Sequence, residues 1–310
     1  MVRLVVLNPM AGSGKGIKYK DGIKKIFSNI QNEGLIPEDK VFIELTDYVG
    51  HATVIVKEYI EKYIEPIVVY VVGGDGTLSE VAGACKHIDR LSIVVIPRGT
   101  GNDFARVTNS YKSIRKVIRE SIEGKLEKID SIEIGKNTCM NVLNAGLDAA
   151  IADNMNLFRK WPFISGSMKY KLAIAYTIFG ARNYKLKIRV DDKIYKGMYT
   201  LIAIGNNKYY GGGVKALPDA KIDDGLLDIC LIDSTTLFQK LIFLPKYSKG
   251  KHEDISLVKL LKGKEISVVA TRKIPVSIDG EIVYTNKFKA KIEEKSVNIV
   301  KTLDKKEKIN

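Results

Sequence analysis

Val68-Val69-Tyr70-Val71-Val72-Gly73-Gly74-Asp75-Gly76-Thr77-Leu78 decides how the chain is read. Its first five residues are apolar and rich in β-branched side chains, the pattern of a strand buried on both faces. The run breaks at once into Gly-Gly-Asp-Gly-Thr. Beyond it Leu78, Val81, Ala82 and Cys85 recur at helical spacing, with Thr77 as the expected N-cap. Strand, glycine turn and helix start together place backbone N–H groups where a phosphate can meet them. Glycine lets the main chain come close and take positive φ. An acid between the glycines repels a bare phosphate, but makes sense with Mg2+ between the two. An ordinary βα turn with a solvated Asp is the plain alternative.

A second stretch repeats the pattern. Leu91-Ser92-Ile93-Val94-Val95-Ile96 reads as a buried strand and ends in Pro97-Arg98-Gly99-Thr100-Gly101-Asn102-Asp103-Phe104-Ala105-Arg106. It lies one helix downstream, so it is expected beside the first strand and parallel to it. Two glycine-and-Asp turns then open at the carboxyl edge of one sheet, where open α/β sheets bind ligands. Upstream, Arg3–Leu7 is the first strand and Asn8-Pro9-Met10-Ala11-Gly12-Ser13-Gly14-Lys15-Gly16 its glycine-rich exit. This exit lacks Walker spacing, yet its glycines, Ser13 and Lys15 suit phosphate as well as they suit a plain solvent loop. A helix over Ile17–Gln31, a strand over Val41–Leu45 with Thr46 at its exit, and a helix over His51–Tyr63 complete a parallel βα unit.

The chain has 310 residues, which favours two domains. Its 45% hydrophobic and 28% charged residues describe a folded, globular protein. No apolar run reaches the roughly 18–20 residues of a membrane span, and the opening strand is too short for a signal peptide. Cys85, Cys139 and Cys230 are odd in number and far apart, without disulfide or zinc spacing, so buried thiols in a reducing, cytoplasmic setting are expected. The net charge of +14 is unevenly placed. Residues 1–130 hold 19 Lys/Arg and 17 Asp/Glu, whereas residues 131–310 hold 31 and 19. A cationic surface suits an anionic membrane or nucleic acid. With no zinc finger or RNP-type motif, nucleic acid is not the expected partner.

Past residue 130 strands become short and frequent: Asn137–Leu143, Lys185–Val190, Tyr195–Ile204, Leu226–Ile232, Glu265–Ala270, Lys273–Ile278, Glu281–Tyr284 and Lys287–Ile292. Asp191-Asp192 and Asp279-Gly280 are hairpin turn signals. Helices are expected over Ser167–Phe179 and Thr236–Lys246. The fold class is therefore α/β followed by β: a parallel-sheet domain over 1–130 and an antiparallel β-sandwich over 131–293. The final strand, 294–302, is expected to complete the first domain, and 303–310 is a charged tail.

Three constellations in the second part can carry chemistry. Gly205-Asn206-Asn207 with Gly211-Gly212-Gly213 is polar and flexible, fit for a cleft or a plain loop. Pro218-Asp219-Ala220-Lys221-Ile222-Asp223-Asp224-Gly225-Leu226-Leu227-Asp228 gathers four carboxylates, the donors of a hard cation or simply an acidic turn. Asp279-Gly280-Glu281 offers a carboxylate for proton abstraction. The three histidines, His51, His87 and His252, stand outside every such cluster.

Taken together, Gly73-Gly74-Asp75-Gly76-Thr77, Gly99-Thr100-Gly101-Asn102-Asp103-Phe104-Ala105, Gly211-Gly212-Gly213 with Pro218-x-Ala220-x-x-x-Asp224-Gly225, and Asp279-Gly280-Glu281 stand in the order seen in the diacylglycerol kinase catalytic family. The chain resembles that family from about residue 2 to 300, and its soluble bacterial lipid kinases most of all. The first motif alone also occurs in NAD kinases; the four together are specific. The resemblance implies two domains with the active site in the cleft between them, and ATP-dependent phosphorylation of a lipid hydroxyl, foremost that of 1,2-diacylglycerol. It implies nucleotide contacts at Asn8, Pro9, Met10, Ala11, Gly12, Thr46, Gly74, Asp75, Gly76, Thr77, Leu78, Ser79, Glu80, Thr100 and Asn102. Asp75 and Asp103 would organise catalytic Mg2+ and phosphates. A structural Mg2+ would take Asp224 and the main-chain oxygens of Lys221 and Leu226. Glu281 matches the family's proton acceptor, with Asp279 its close rival.

The expected partner is a lipid substrate at the inner face of the membrane, reached by peripheral contact. Arg159-Lys160-Trp161-Pro162-Phe163-Ile164 is one candidate contact. Leu237, Phe238, Leu241, Ile242, Phe243 and Leu244 with Lys240 and Lys246 are another. A homodimer is admitted by analogy with the family. Three readings stay beside this one: another lipid acceptor such as a sphingoid base or phosphatidylglycerol, a NAD kinase-like enzyme, and a non-catalytic lipid- or nucleotide-binding regulator.

Overall fold

The computed structural model of the chain describes residues 1–108, 113–159, 166–180 and 182–301. The candidate contact at Trp161–Ile164 and the tail from 303 lie outside the described residues. Two units follow from the chain's internal contacts: Met1–Ser131 with the chain from Glu293 onward, and Ile132–Ile292.

The first unit runs β1 (Val2–Leu7), α1 (Ala11–Gly14), α2 (Tyr19–Asn32), β2 (Lys40–Leu45), α3 (His51–Lys62), β3 (Ile67–Gly73), α4 (Asp75–Cys85), β4 (Leu91–Pro97), α5 (Ile114–Ile122) and β5 (Lys125–Ile134). Its sheet is parallel in the order β2-β1-β3-β4. The last stretch of the chain continues it, with Ile299 paired to Ile93 in parallel. The continuous Val/Ile/Leu runs of β1 and β3 are buried along their whole length, as strands covered on both faces must be. Ile23, Phe27 and Ile30 of α2 and Val117 and Ile118 of α5 cover one face, with Phe27 edge-on to Tyr70 at 5.2 Å. From β1 the chain goes first to β2 on one side and later to β3 on the other. The strand order reverses there, so the β1 and β3 exits flank a switch point.

Several local expectations need correction. The helix of the Gly-Gly-Asp-Gly-Thr turn begins at Asp75 with Gly74 as N-cap, and Thr77 lies within its first turn. Gly74 takes the extended conformation (φ −98°, ψ −172°), and Asp75 then brings a favourable negative charge to the helix start. The glycine-rich exit of β1 contains the short helix α1 and a 3-10 turn over Gly16–Lys18, so α2 starts at Tyr19. A side chain at Gly16 would run into the Asn8 and Pro9 carbonyls.

The second unit runs β6 (Asn137–Cys139), β7 (Val142–Gly146), α6 (Leu147–Arg159), α7 (Gly166–Gly180), β8 (Tyr184–Val190), β9 (Lys193–Gly205), β10 (Leu227–Asp233), α8 (Leu237–Ser248), β11 (Val258–Gly263), β12 (Glu265–Ile278) and β13 (Glu281–Lys301), whose end belongs to the first unit. The N-terminal half of β9 pairs with β8 and its C-terminal half with β7 and β10, all antiparallel. β12 likewise joins β8 through Ile266–Ala270 and β7 through Val276–Ile278. The ladder β7–β9–β8–β12 therefore closes on itself, and alternate side chains fill its inside: Leu186, Ile188, Ile202, Ile204, Ile229, Leu231, Ile266 and Val268. The other side of β9 and β10, with Leu201, Ala203, Cys230 and Ile232, packs under Leu147 and Ile151 of α6 and Phe243 and Tyr247 of α8.

Three differences from expectation stand out here. Asn137–Leu143 is not one strand but β6 and β7, separated at Met140-Asn141. The strands expected as separate pieces over 265–278 and 281–302 are two long strands. β12 changes register between Val269 and Ile274, and β13 turns at Lys295, where φ is 47°. Helix α6 was not expected at all. Cys85, Cys139 and Cys230 are free and buried, and burial pushes the Cys85 thiol up to about 12. No helix among the described residues is long and apolar enough to cross a membrane.

Candidate active site

Four loops leave the carboxyl edge of the first unit's sheet side by side. The exit of β1 is tied to β3 by Asn8 N–H donating to the Val72 carbonyl at 3.0 Å. That of β2 is tied to β1 by Thr46 N–H to the Leu7 carbonyl at 3.0 Å. The exit of β4 is tied to β3 by Arg98 N–H to the Gly73 carbonyl at 2.8 Å, and its own carbonyl accepts from Gly12 N–H at 2.5 Å. The glycine turns touch main chain to main chain: a Cβ on Gly74 would lie 3.2 Å from the Gly99 Cα, and one on Gly99 would strike the Gly74 Cα. Gly99 has no room for a side chain and Gly74 has room only if the facing main chain gives by a few tenths of an ångström, so the two turns form one backbone surface.

Side chains then lock that surface. The Asn8 carboxamide donates to Thr77 Oγ1 at 3.2 Å and accepts from Met10 N–H at 2.9 Å. Asn102, at φ 52°, folds back on Gly99, accepting from its N–H and donating to its carbonyl, both at 2.7 Å. The Asp75 carboxylate accepts from Asp103 N–H and Phe104 N–H, each at 3.2 Å. It thereby joins the start of α4 to the 3-10 turn at Phe104–Arg106. Asp103 is buried and accepts from Arg106 Nε at 3.3 Å. So Asn8–Gly12, Gly74–Thr77, Thr100, Asn102 and Asp103 lie on one edge. Of the rest, Leu78 and Ser79 are buried and Glu80 serves α3, accepting from Gly50 N–H at 2.9 Å and Ala52 N–H at 3.2 Å. Arg98, at the exit of β4, carries no motif signal of its own, and its Nη1 donates to the Pro97 carbonyl at 2.7 Å. Its guanidinium lies 5.4 Å from the Tyr19 ring centre, a fixed cation at an edge rich in N–H groups.

In the second unit, Asp279 (φ 45°) and Gly280 (φ 96°) form a two-residue turn closing β12 onto β13. The Asp279 carboxylate accepts three main-chain N–H groups, from Met140 at 2.7 Å, Asn141 at 3.1 Å and Val142 at 3.3 Å. Those donors explain the break between β6 and β7: the chain bends there to wrap the carboxylate. Glu281, two residues on, is exposed and makes no hydrogen bond or ion pair among the described residues. Near the turn, Asn207 Nδ2 donates to Asn141 Oδ1 at 2.8 Å, and Asn206 N–H to the Asn141 carbonyl at 3.0 Å. Asn141, at the break between β6 and β7, and Asn144, in the buried strand β7, carry no sequence signal beyond being polar among apolar neighbours. The Asn144 side-chain oxygen is buried with no hydrogen-bond partner among the described residues.

The acidic turn is held by a lysine. Asp224 accepts from Leu226 N–H at 3.2 Å, and Lys262 Nζ reaches Asp224 at 2.9 Å and Asp228 at 3.3 Å. Burial pushes the Asp228 carboxyl up to about 6, with the Lys262 ammonium pulling the other way. A cavity of about 210 Å3 opens there, lined by Pro218, Asp219, Asp228 and Lys262 among others. No group of three or more His, Cys, Asp or Glu among the described residues is placed to hold a metal ion. One carboxylate with main-chain carbonyls still fits a cation that keeps most of its water, provided the cation displaces Lys262 from Asp224.

The chain is similar to known proteins along nearly its whole length. Residues 3–134 match the model of the diacylglycerol kinase catalytic domain, and residues 141–301 that of the YegS C-terminal NAD kinase beta sandwich-like domain. A diacylglycerol kinase of Staphylococcus carnosus is 27% identical over 89% of this chain and 87% of its own. A YegS-like probable lipid kinase of Shewanella frigidimarina is 30% identical over 74% of each. A solved diacylglycerol kinase from Bacillus anthracis shares the fold, with TM-score 0.70 and 22% identity over 97% of this chain and 96% of that one. A parallel α/β unit with glycine-built turns at its carboxyl edge, followed by a β-sandwich-like unit, defines the class as a lipid kinase fold. The chain belongs to the diacylglycerol kinase catalytic family.

Proposed function

We propose that the protein transfers the γ-phosphoryl group of ATP to the hydroxyl of a membrane lipid, foremost 1,2-diacylglycerol, giving phosphatidic acid. The observation that carries this is the backbone contact of Gly74 with Gly99 at the N-terminus of α4. Phosphate oxygens are met there by N–H groups that the first turn of a helix leaves without acceptors. Asn8–Gly12 and Thr100 flank the nucleotide, and Asp75, Asn102 and Asp103 keep the turns in place. Arg98 adds a positive charge for the transferring group. Mg2+, organised by Asp75 and Asp103, would neutralise the charge that develops on the transferring phosphate.

The second unit supplies the proton acceptor. In the transfer, the acceptor oxygen bonds to the γ-phosphorus, the bond to the β-phosphate oxygen breaks, and the hydroxyl proton leaves to a base. Glu281 is our choice of base. Asp279 spends its oxygens on three N–H donors, whereas Glu281 is exposed and unengaged. Asp279 acts as a positioning residue that fixes the turn from which Glu281 projects. A structural cation at Asp224, with the Lys221 and Leu226 carbonyls, belongs to the same proposal.

The test is phosphate transfer from labelled ATP with Mg2+ in mixed micelles. The acceptors are diacylglycerol, monoacylglycerol, ceramide, sphingosine, phosphatidylglycerol and, in solution, NAD. Labelled phosphatidic acid from wild type, with loss in Glu281→Gln, is the expected result. Transfer to another lipid or to NAD keeps the chemistry and replaces the substrate. Bound ATP with no transfer to any acceptor makes the protein a regulator.

A further inference from the structure

Helix α8 carries large apolar side chains on its outer face as well as its inner one. A capping box fixes its start: Gln239 N–H donates to Thr236 Oγ1 at 3.3 Å, and Thr236 N–H to Gln239 Oε1 at 2.8 Å. The face turned into the protein holds Lys240, Phe243 and Tyr247, and Lys240 is only 4% exposed. The outer face holds Leu237, Phe238, Leu241 and Ile242, with Phe238 71% exposed. These four, at spacings of one, four and five, form one strip along the helix. Water alone favours neither the burial of Lys240 nor the exposure of Phe238 and its neighbours on the strip. The neighbouring helix α7, which touches α8, also turns large apolar groups outward, Tyr176 at 59% and Phe179 at 74% exposed. Clustered exposure of this kind marks a surface that is covered in use.

Charge identifies what covers it. Lys246, Lys249 and Lys251 follow at the end of α8, all exposed. Residues 132–292 hold 26 Lys/Arg against 15 Asp/Glu. A second copy of α8 brings these lysines no counter-charge of its own, since Leu237–Ser248 holds no Asp or Glu. An anionic bilayer offers acyl chains to the strip and phosphates to the lysines together.

We propose that the Leu237–Ile242 strip of α8 is the surface by which the chain docks on an anionic lipid bilayer, with Lys246, Lys249 and Lys251 at headgroup level. The choice of partner rests on the lipid kinase reading, because a long-chain acceptor hydroxyl is presented at a bilayer surface.

The test uses the full chain and vesicles of phosphatidylglycerol with phosphatidylcholine, or of phosphatidylcholine alone. Co-sedimentation is measured for wild type, Phe238→Ser with Leu241→Ser, and the control Ile64→Ser, which removes an apolar side chain that is 90% exposed in the first unit. The double variant should partition about tenfold or more weakly, and the control like wild type. High salt and the neutral vesicle should each weaken wild-type binding about tenfold. A Phe238→Cys chain carrying an environment-sensitive fluorophore, with the native thiols buried, should shift to the blue on anionic vesicles and keeps the test independent of how the serine variant folds. Equal partition of the double variant and wild type, equal binding at low and high salt, or an unshifted fluorophore overturns the proposal. So does a wild-type dimer by light scattering that the double variant dissolves while no chain binds vesicles. Transfer to diacylglycerol in detergent micelles is read separately. Docking without transfer ends the kinase reading alone, and transfer without α8-dependent docking ends this proposal alone.

Discussion

Asp279 and Glu281 show how two neighbouring carboxylates take different work. The first is drawn into three main-chain N–H groups and has little basicity to spare; the second stands in solvent. Glu281→Gln should lower kcat by about 100-fold or more and leave the thermal midpoint unchanged, because an exposed side chain without partners holds nothing together. Asp279→Asn should cost about 1–3 kcal/mol in a urea titration, since a buried turn would lose its charge-assisted acceptor. At the phosphate edge, Gly99→Ala should abolish nucleotide binding and destabilise by about 1–3 kcal/mol, because its Cβ would need the space of the Gly74 main chain. Asp148, at the start of α6, accepts from the hydroxyls of Tyr210 and Tyr247, and burial pushes its carboxyl from the ordinary 3.8 up to about 7. A carboxyl raised on folding contributes stability fully below pH 3.8 and loses it as the pH rises through about 7. Urea midpoints should therefore fall between those limits in wild type, and fall less in Asp148→Asn.

The elements differ in how far their own residues announce them. β3, its glycine turn and α4 are legible because an unbroken apolar run, a double glycine and helical spacing meet within a few residues. The gathering of the glycine turns at one sheet edge was legible for the same reason: each of these loops is a local event at a strand end. α6 hid behind Asp148, Asp153 and Asn154, polar residues that read as loop after Gly146, although Leu147 and Ile151 already stand four apart. The lengths of β12 and β13 were illegible because Arg272-Lys273 and Lys295 look like ends of strands, whereas β12 resumes pairing at Ile274 after a register shift and β13 runs on past a turn at Lys295. What no local pattern could supply was the partner across distance. Asp279 wraps residues 137 to 139 positions upstream, and Lys262 reaches Asp224 from 38 positions away. The acidic turn gives a prediction at this scale. Lys262→Met leaves Asp224 and Asp228 without their shared cation, so its urea midpoint should drop, and Mg2+ should restore part of the loss if the turn is a cation site. A Mg2+ response equal to wild type would assign the turn to the lysine alone.

At the scale of the molecule, the first unit is assembled from both ends of the chain. Lys295 N–H donates to Asp130 at 2.7 Å, Ser296 Oγ meets Ser131 Oγ at 2.8 Å, and Asn298 donates to the Leu91 carbonyl at 2.8 Å. Val297, Ile299 and Val300 are buried, and Ile299 takes the place beside β4. A ribosome releases residues in order, so every contact of the second unit can form before the last strand of the first has emerged. Until then β4 is a bare edge of Val and Ile, open to pairing with any other nascent chain. The first unit is thus finished last although it is begun first, and loss of the codons for Val297–Val300 would spoil the half that was made earliest.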